Sequence, residues 1–432
     1  MLRRLFYPHS LIVTCMMFIL IWILDVIRIN LHFLNPFNET LRDYEITDIV
    51  YSRLRNSKVK LDNRIVLVHC GNGHPNRDTL RLMIDRIVDA GAKVVAVDIM
   101  LSEQRKPFVT DSLLRESMLR MENVVLANEI HDLAEDGKTF RSQINCDTFF
   151  CDYVYSGFIN FIDHDSSTIR LFSPREMTTD GVCLSFAAQI ASLYDPPSAK
   201  RLFKRNNDVE EIYYTGNENQ FVQYEPKDIL DTTKDLQSTM GGKIVLIGFL
   251  PLDAWDKPLL DRHYTPLNQR YTGRNTPDMY GMVIHANILR MILDNSYVNE
   301  LPFWANMLLT FIFCYFNIHF FYQIFRRVSL PYQFITRFLQ LGEIVLLFFI
   351  VAVLFHYYRL KIDVAYWITA LLLTFDAVKF YDNGVRKRIT LLSRIPYYIP
   401  PAEKRGKNAK KAIEQPIKET VPEVPKSSVS KE

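Results

Sequence analysis

Gly241-Gly-Lys-Ile-Val-Leu-Ile-Gly248 is the stretch that decides the fold of this chain. Its four central residues are apolar, three of them are β-branched, and glycines bound them. This pattern is typical of a strand that is buried on both faces of a parallel sheet. Gly248 lets the backbone turn at the end of the strand, because it has no Cβ. In open α/β sheets the carboxyl ends of the strands form the edge that binds ligands. We therefore expect a ligand-binding edge near Gly248.

The rest of this region alternates between strand and helix patterns. Short apolar runs predict three more buried strands, at residues 65–68, 94–97 and 124–127. Apolar stripes at helical spacing predict four helices, at residues 77–90, 110–120, 182–194 and 280–293. Strands and helices in alternation form right-handed βαβ units with parallel strands. The predicted fold class is therefore α/β, a three-layer sandwich with a mostly parallel sheet.

Two polar turns predict antiparallel hairpin insertions in that sandwich. The first hairpin joins residues 158–162 to 169–172, and the second joins residues 212–214 to 221–224. We expect both hairpins at an edge of the sheet or as an insertion.

Outside the sandwich, four apolar segments predict transmembrane helices: residues 5–24, 301–325, 338–358 and 364–380. Trp304 and Tyr322, near the ends of the second span, are expected as interfacial anchors. The chain is thus divided into an N-terminus with the first span (1–27), a soluble domain (28–300), three further spans (301–381) and a basic, disordered tail (382–432).

Clusters of arginine and lysine predict the orientation of these spans. Arg3 and Arg4 precede the first span, Arg326 and Arg327 follow the second, and residues 386–388 follow the last. Basic residues are retained on the cytoplasmic side. We expect a multi-pass protein of the cell inner membrane, with residues 28–300 on the periplasmic or extracellular side. A cleaved signal peptide is the alternative for residues 5–24, but small residues are missing at the cleavage position.

The order of these features resembles the CHASE2 domain, an extracellular sensory module of bacterial signalling proteins. Two of the matching stretches are Ala90-Gly-Ala-Lys-Val-Val-Ala-Val-Asp-Ile99 and Tyr280-Gly-Met-Val-Ile-His-Ala-Asn287. The others are residues 65–68, 157–160 with 163–165 and Arg170, 242–248 and 264–266. The resemblance implies one span before the domain and three after it. The chain departs from the family at residues 69–74, where an acidic stretch is usual, and no output domain follows the last span.

The strand ends and the loops after them supply candidate ligand-binding residues. These are Asn72, Asp98, Gly248, Asp261, Thr265, His285 and Asn287. Two structural alternatives stay open: Asp98 caps a turn, and His285 packs with an internal hydrogen bond. A metal site from His69, His74, Asp98 and His285 has little support, because no two of them have the close spacing of zinc ligands. We predict no metal and no cofactor.

The chain has six cysteines and no C-x-x-C pair, which gives no support to a zinc or thioredoxin site. Cys146 and Cys151 lie five residues apart in a polar loop. A disulfide between them is one alternative if this part of the chain is exported, and free thiols are the other.

Three classes of function remain. We favour a membrane-anchored extracytoplasmic sensor that binds an unidentified small-molecule or envelope ligand and passes the signal to a separate cytoplasmic or membrane effector. Homo-oligomerisation is left open. The alternative is a structural or assembly component of the cell envelope. An enzyme is not expected, since no catalytic pair has a readable spacing. The net charge of +3 gives no basis for nucleic-acid binding.

Overall fold

The computed structural model describes residues 7–30, 46–54, 60–70, 76–104, 108–144, 147–161, 168–250, 261–268, 276–327, 332–389 and 392. The chain divides into two compact units. The α/β unit comprises residues 26–306 and 341–364, and the helical unit comprises residues 1–25, 307–340 and 365–432.

Fifteen strands lie in the described part of the chain. They are β1 (Asp62–His69), β2 (Val94–Val97), β3 (Val124–Leu133), β4 (Thr139–Ile144), β5 (Tyr155–Phe158), β6 (Leu171–Phe172), β7 (Arg175–Thr178), β8 (Gly181–Leu184), β9 (Glu210–Glu211), β10 (Phe221–Tyr224), β11 (Ile244–Gly248), β12 (Arg262–His263), β13 (Met279–Tyr280), β14 (Asn299–Glu300) and β15 (Leu360–Lys361).

The α-helices described are α1 (Pro8–Asn30), α2 (Ile46–Ile49), α3 (Arg77–Asp89), α4 (Phe108–Leu119), α5 (Thr148–Cys151), α6 (Phe186–Tyr194), α7 (Pro196–Arg205), α8 (Pro226–Leu230), α9 (Gln237–Met240), α10 (Gly281–Asp294), α11 (Phe303–Arg327), α12 (Tyr332–Tyr358), α13 (Ala365–Phe380) and α14 (Arg386–Arg388). Val50–Leu54 and Tyr381–Val385 are π-helical, and Glu218–Gln220 is a 3₁₀ turn.

The central sheet has the strand order β10-β1-β11-β2-β3-β4-β7-β8, with β5 paired to β3. From β10 to β3 every pairing is parallel, and β5 also runs parallel to β3. β11, the strand in the Gly241 to Gly248 stretch, lies between β1 and β2, and all five of its residues are buried. The mostly parallel α/β sheet is therefore confirmed.

Helices cover both faces of this sheet. On one face Val66 and Val245 pack with Leu80 of α3 and Leu114 of α4. On the other face alternate residues of the same strands, with Ile65 among them, pack with α6 and α10. Because both faces of these strands are buried, each strand is a continuous apolar run, and its position could therefore be predicted from the sequence.

The antiparallel insertions occur at other places than the sequence predicted. β5 and β6 do not pair with each other: β5 joins β3, and β6 joins β9. β10 is not half of a hairpin but the edge strand beside β1. The hairpins are β3–β4 and β7–β8, so the first residues of the predicted 182–194 helix belong to a strand. The turn between β3 and β4 contains Asp136, whose carboxylate accepts the amides of Lys138 and Thr139, and Gly137 at a φ of 64°.

The helical unit gathers α1, most of α11, the start of α12, and α13. Val13 and Met17 of α1 pack with Ile318 of α11 and Val378 of α13. A polar contact joins α1 to the π-helical turn after α13: His9 contacts the hydroxyl of Tyr381 at 2.8 Å. Tyr322 was expected at the membrane interface, and this prediction is wrong. Its ring is buried, and its hydroxyl donates to Asp382 at 2.9 Å.

In the part of the chain that the structure describes, two helices, rather than the four predicted, are long and apolar enough to cross a membrane. They are Phe303–Gln323 within α11 and Phe334–Tyr358 within α12. The apolar part of α1, Pro8–Ile23, is shorter, and α13 has 16 residues. Sixteen residues rise about 24 Å, which is less than the hydrocarbon core of about 30 Å. The count of four is thus corrected on length.

Candidate functional site

Three adjacent strands end together at the carboxyl edge of the sheet. Gly248 closes β11, Cys70 follows β1, and Asp98 follows β2. Two backbone bonds hold the three ends in register: the amide of Cys70 donates to Gly248 O at 2.9 Å, and that of Asp98 donates to Ile247 O at 2.8 Å. The strand order therefore brings side chains from distant parts of the sequence to one place.

Gly248 is required there by close packing, not by a turn. A Cβ on this residue would lie 2.9 Å from the sulfur of Met282 and 3.1 Å from the Cβ of Asp98. Met282 belongs to the first turn of α10, so the missing side chain lets that helix begin directly against the strand end. The expected role of Gly248 in turning the backbone is replaced by this packing role.

Asp261 lies at the start of the same helix. Its carbonyl oxygen accepts the amide of Gly281 at 3.1 Å, and a Cβ on Gly281 would be 2.9 Å from its carboxylate. The backbone of Asp261 has a φ of 56°. An acidic side chain is favoured at a helix N-terminus, because the amides there carry partial positive charge. Thus Asp98, Gly248 and Asp261, three of the predicted residues, surround the first turn of α10.

The electrostatics of this edge are set by burial and by like charges. Burial and, to a lesser extent, the nearby carboxylate of Asp261 raise the pKa of Asp98 to about 8. The pKa of the Cys70 thiol rises to about 12, first through burial and then through the charges of Asp98 and Asp261. Among the described residues no base pairs with Asp98. This carboxyl is therefore largely protonated at neutral pH.

His285 lies in an aromatic environment on α10. Its ring stacks on Phe161 with the centroids 4.7 Å apart and meets Phe186 edge-on at 5.4 Å. His263 lies on Phe161 as well, at 5.3 Å. Burial, and to a lesser extent the proximity of His263, lowers the pKa of His285 to about 3. The imidazole is therefore neutral at physiological pH.

Thr265 and Asn287 make structural contacts away from Asp98. The amide and the hydroxyl of Thr265 donate to the carboxylate of Asp278 at 2.8 and 2.6 Å, which ties its loop to β13. Asn287 is fully buried; its side-chain oxygen accepts the amide of Thr215 at 2.8 Å and its nitrogen donates to Gly216 O at 3.0 Å. These contacts join α10 to the segment before β10. A ligand-binding role for either residue stays a prediction.

Asn72 lies outside the described residues. Cys70, Phe161 and His263 are not among the predicted site residues, although the position of Cys70 directly after a predicted strand is a usable signal. No local pattern indicates Phe161 or His263, because their proximity to His285 depends on chain segments that are far apart in sequence.

In the part of the chain that the structure describes, no three His, Cys, Asp or Glu side chains gather in a way that could hold a metal ion.

A second group of charged side chains lies next to the starts and ends of the apolar helices. We call it the junction: residues 205–211, 297–301 and 359–361. Arg205 donates to both carboxylate oxygens of Glu210, at 2.6 and 3.1 Å, and to the Asn299 side chain at 3.1 Å. Lys361 pairs with Glu211 at 2.9 Å.

The backbone of the junction joins two connections of the chain. β14 precedes α11 and β15 follows α12, and the two strands pair in parallel. The amide of Asn299 donates to Arg359 O at 2.8 Å, and that of Leu301 donates to Lys361 O at 3.0 Å. A cavity of about 810 Å³ opens beside these strands and is lined by Leu171, residues 205–211 and residues 298–300.

Comparison with known proteins supports one assignment. The family model of the CHASE2 domain matches residues 57–318, more than half of the chain. No curated protein and no solved structure matches the chain. The resemblance found in the sequence is confirmed at the level of the family, and the matched region includes both the carboxyl edge and the first half of α11.

Proposed function

The chain belongs to the CHASE2 domain family, a family of extracellular sensory domains, and we propose that it is a membrane-anchored sensor. In this proposal residues 28–300 lie outside the cytoplasm, on the periplasmic side of a bacterial inner membrane, and bind an unidentified ligand. The helices pass the signal to a separate partner protein.

The observation that carries the proposal is the short connection between the carboxyl edge and a candidate span. α10 begins at that edge with Gly281 and ends at Asp294, and α11 begins at Phe303. Between them lies β14, which the junction holds against β15. A ligand that moves the start of α10 would therefore displace two connections at once. It can do so only through different affinities for two states of the unit.

Two features support an extracytoplasmic location of residues 28–300. Basic residues cluster at Arg326, Arg327 and 386–388, at the ends of α11 and α13, while the connections at the junction hold Arg359 and Lys361 only. Cys151 forms a disulfide, and disulfides persist mainly in oxidising compartments. Cys146 lies outside the described residues.

The ligand would bind at the carboxyl edge, close to Asp98, Asp261 and His285. The partner would be a cytoplasmic or membrane protein. Residues 382–432 are rich in Lys, Glu, Pro and Ser, a composition that cannot build a catalytic core. Cross-linking in intact membranes followed by purification of the full chain should recover such a partner. Recovery of the chain alone would count against signal transfer.

The side of the membrane on which residues 28–300 lie is tested by adding one cysteine at a time and labelling it with a membrane-impermeant maleimide in intact cells. Glu116→Cys places a thiol on the exposed face of α4, and Lys387→Cys places one after α13. We expect the first to react in intact cells and the second only after lysis, with the unsubstituted chain as the baseline. Reaction of Glu116→Cys only after lysis would refute an extracytoplasmic sensor.

Ligand binding is tested by thermal unfolding of the full chain with amino acids, polyamines and short carboxylates as probes. A ligand at 100 times its Kd stabilises a protein by about 2.7 kcal/mol. We expect at least one probe to raise the Tm of the natural chain and to lose this effect with Asp98→Asn. If no probe or envelope fragment acts, the assembly role in the cell envelope becomes the better explanation.

A further inference from the structure

Four aromatic rings flank the junction and point away from the protein. Phe303 and Trp304 begin α11, and Tyr357 and Tyr358 end α12. Each is more than two thirds exposed, from 68% for Phe303 to 73% for Tyr357. Large rings exposed to this degree lose the free energy that burial would provide. Most of the surface of each ring is therefore left to contact the surroundings of the protein.

The pairing of β14 with β15 brings the two aromatic pairs together. Phe303 and Trp304 follow Glu300 by three and four residues, and Tyr358 precedes Leu360 by two. Charged residues occupy the strands themselves and the turn before β15, namely Glu300, Lys361 and Arg359. The chain thus changes from charged residues in β14 and β15 to exposed aromatic rings within a few residues.

Below the rings, the same two helices expose aliphatic and aromatic side chains over several turns. They include Leu308, Ile312 and Phe316 on α11 and Leu341, Leu346 and Phe349 on α12. Such surfaces are typical of contact with lipid chains, because in water they would be a large apolar patch.

Arginine lies near the opposite end of each helix, and the two spacings differ by one residue. Trp304 lies 22 residues before Arg326, which corresponds to about 33 Å along an α-helix. Arg337 lies 21 residues before Tyr358, which corresponds to about 32 Å. Both values agree with a hydrocarbon core of about 30 Å. The spacing in α11 and the spacing in α12 therefore each match the thickness of the hydrocarbon core.

We infer that Phe303, Trp304, Tyr357 and Tyr358 form a collar that lies in the lipid–water interface on the side of the α/β unit. The partner of this surface is the headgroup layer of the membrane. Tyrosine and tryptophan suit that layer, since each has an apolar ring and a polar group that remains hydrated. The inference rests on the proposed membrane location of α11 and α12, and it adds the depth at which they lie.

The collar gives the junction a fixed depth. The ion pair of Lys361 with Glu211 then lies just above the interface, where water is partly excluded and charge pairs are stronger than in bulk water. Anchored rings also resist vertical movement of β14 and β15. A shift of α10 is therefore converted into tilt or rotation of α11 and α12 rather than into sliding across the bilayer.

The depth is measured by quenching of a single tryptophan in the full chain. The chain has Trp22, Trp255, Trp304 and Trp367; replacement of the other three by phenylalanine leaves Trp304 as reporter. Vesicles of phosphatidylcholine and phosphatidylglycerol carry a nitroxide either on the headgroup or near the end of the acyl chain. Two control reporters, each with Trp304→Phe, are Leu346→Trp in the middle of α12 and Val182→Trp on the exposed face of β8.

We expect the headgroup nitroxide to quench Trp304 about twofold more than the deep nitroxide, as for an interfacial ring. Leu346→Trp should show the reverse, and Val182→Trp should show neither. If Trp304 follows the pattern of Leu346→Trp, the collar is wrong while the membrane location stands. If Leu346→Trp is not quenched at all, the proposed membrane location of α12 itself fails. A Trp304 that behaves as Val182→Trp overturns the collar alone.

Discussion

The carboxyl edge of the sheet and the junction both contain acidic side chains with little exposure, and they differ in how these acids are neutralised. At the junction Glu210 is paired with Arg205 and Glu211 with Lys361. At the carboxyl edge Asp98 faces another acid, Asp261, and has no base as partner among the described residues. One region satisfies its charges internally, and the other leaves a carboxyl group unsatisfied.

This difference separates a structural role from a binding role. A paired and hydrogen-bonded charge holds two segments together, and its loss leaves the other partner buried without compensation. An acid that burial forces to keep its proton is destabilising whenever it ionises, so packing alone gives no reason to retain it. The junction is thus suited to transmit a displacement, and the carboxyl edge is suited to receive a ligand.

The largest effect is expected at the junction. Glu210→Ala removes the two carboxylate oxygens that bind the Arg205 guanidinium and leaves it the Asn299 side chain and the carbonyl oxygen of Val298 as acceptors. The charge loses its counter-ion, which should lower the free energy of unfolding by about 3 kcal/mol. Thermal unfolding of the full chain in nanodiscs measures it. Asp208→Ala, an exposed acid that lines the same cavity, is the matched control and should change the Tm little. Equal effects of the two substitutions would contradict the role assigned to the pair.

The second effect is a pH dependence at the carboxyl edge. In the folded chain the pKa of Asp98 is about 8, well above the value near 4 of an unfolded chain. Between these values the folded state holds a proton that the unfolded state has lost. Stability is thus greatest at low pH and falls as the pH rises towards 8.

Asp98→Asn should remove this fall and make the protein more stable at pH 8 by on the order of 2 kcal/mol, with little change near pH 4. The measurement is the Tm between pH 4 and 9, and Asp180→Asn in the exposed β7–β8 turn is the control. A curve for Asp98→Asn that parallels that of the natural chain would mean that the carboxyl has a neutralising partner.

A third, smaller effect tests the close packing at the edge. Gly248→Ala brings a methyl group against Met282 and should cost about 1–2 kcal/mol, because overpacking displaces the first turn of α10. Combination with Met282→Ala should recover part of this loss, since the space is restored. If the losses of the two single variants simply add in the double variant, the contact with Met282 is not the reason why position 248 requires glycine.

The smallest effect concerns the ion pair that joins β9 to β15. Lys361 is partly exposed and Glu211 is nearly buried, with 22% and 5% of their side chains accessible. The exposed part of Lys361 limits the strength of this pair even where water is partly excluded, so the double-mutant cycle of Lys361→Ala and Glu211→Ala should give a coupling of about 1 kcal/mol. A coupling near zero would mean that the β14–β15 backbone bonds hold the end of α12 without help from this ion pair.

The sequence by itself determined the centre of this molecule. Ile244 to Ile247 and Val94 to Val97 are buried on both faces, so each strand is an uninterrupted apolar run that is visible without its neighbours. α10 was equally clear, because its apolar residues recur at helical spacing and Gly281 and Asp294 bound it. The family could be recognised for the same reason, since these local patterns make up most of its signature.

Only the tertiary structure decided which segments pair and which side chains meet. β10 had the appearance of half a hairpin, but it pairs with β1, about 160 residues earlier in the chain. Thr265 and Asn287 appeared equivalent to Asp98 as polar residues near strand ends, yet their hydrogen bonds are used within the fold. Strand pairing and hydrogen-bond partners depend on contacts between residues that are distant in sequence, and no local pattern encodes them.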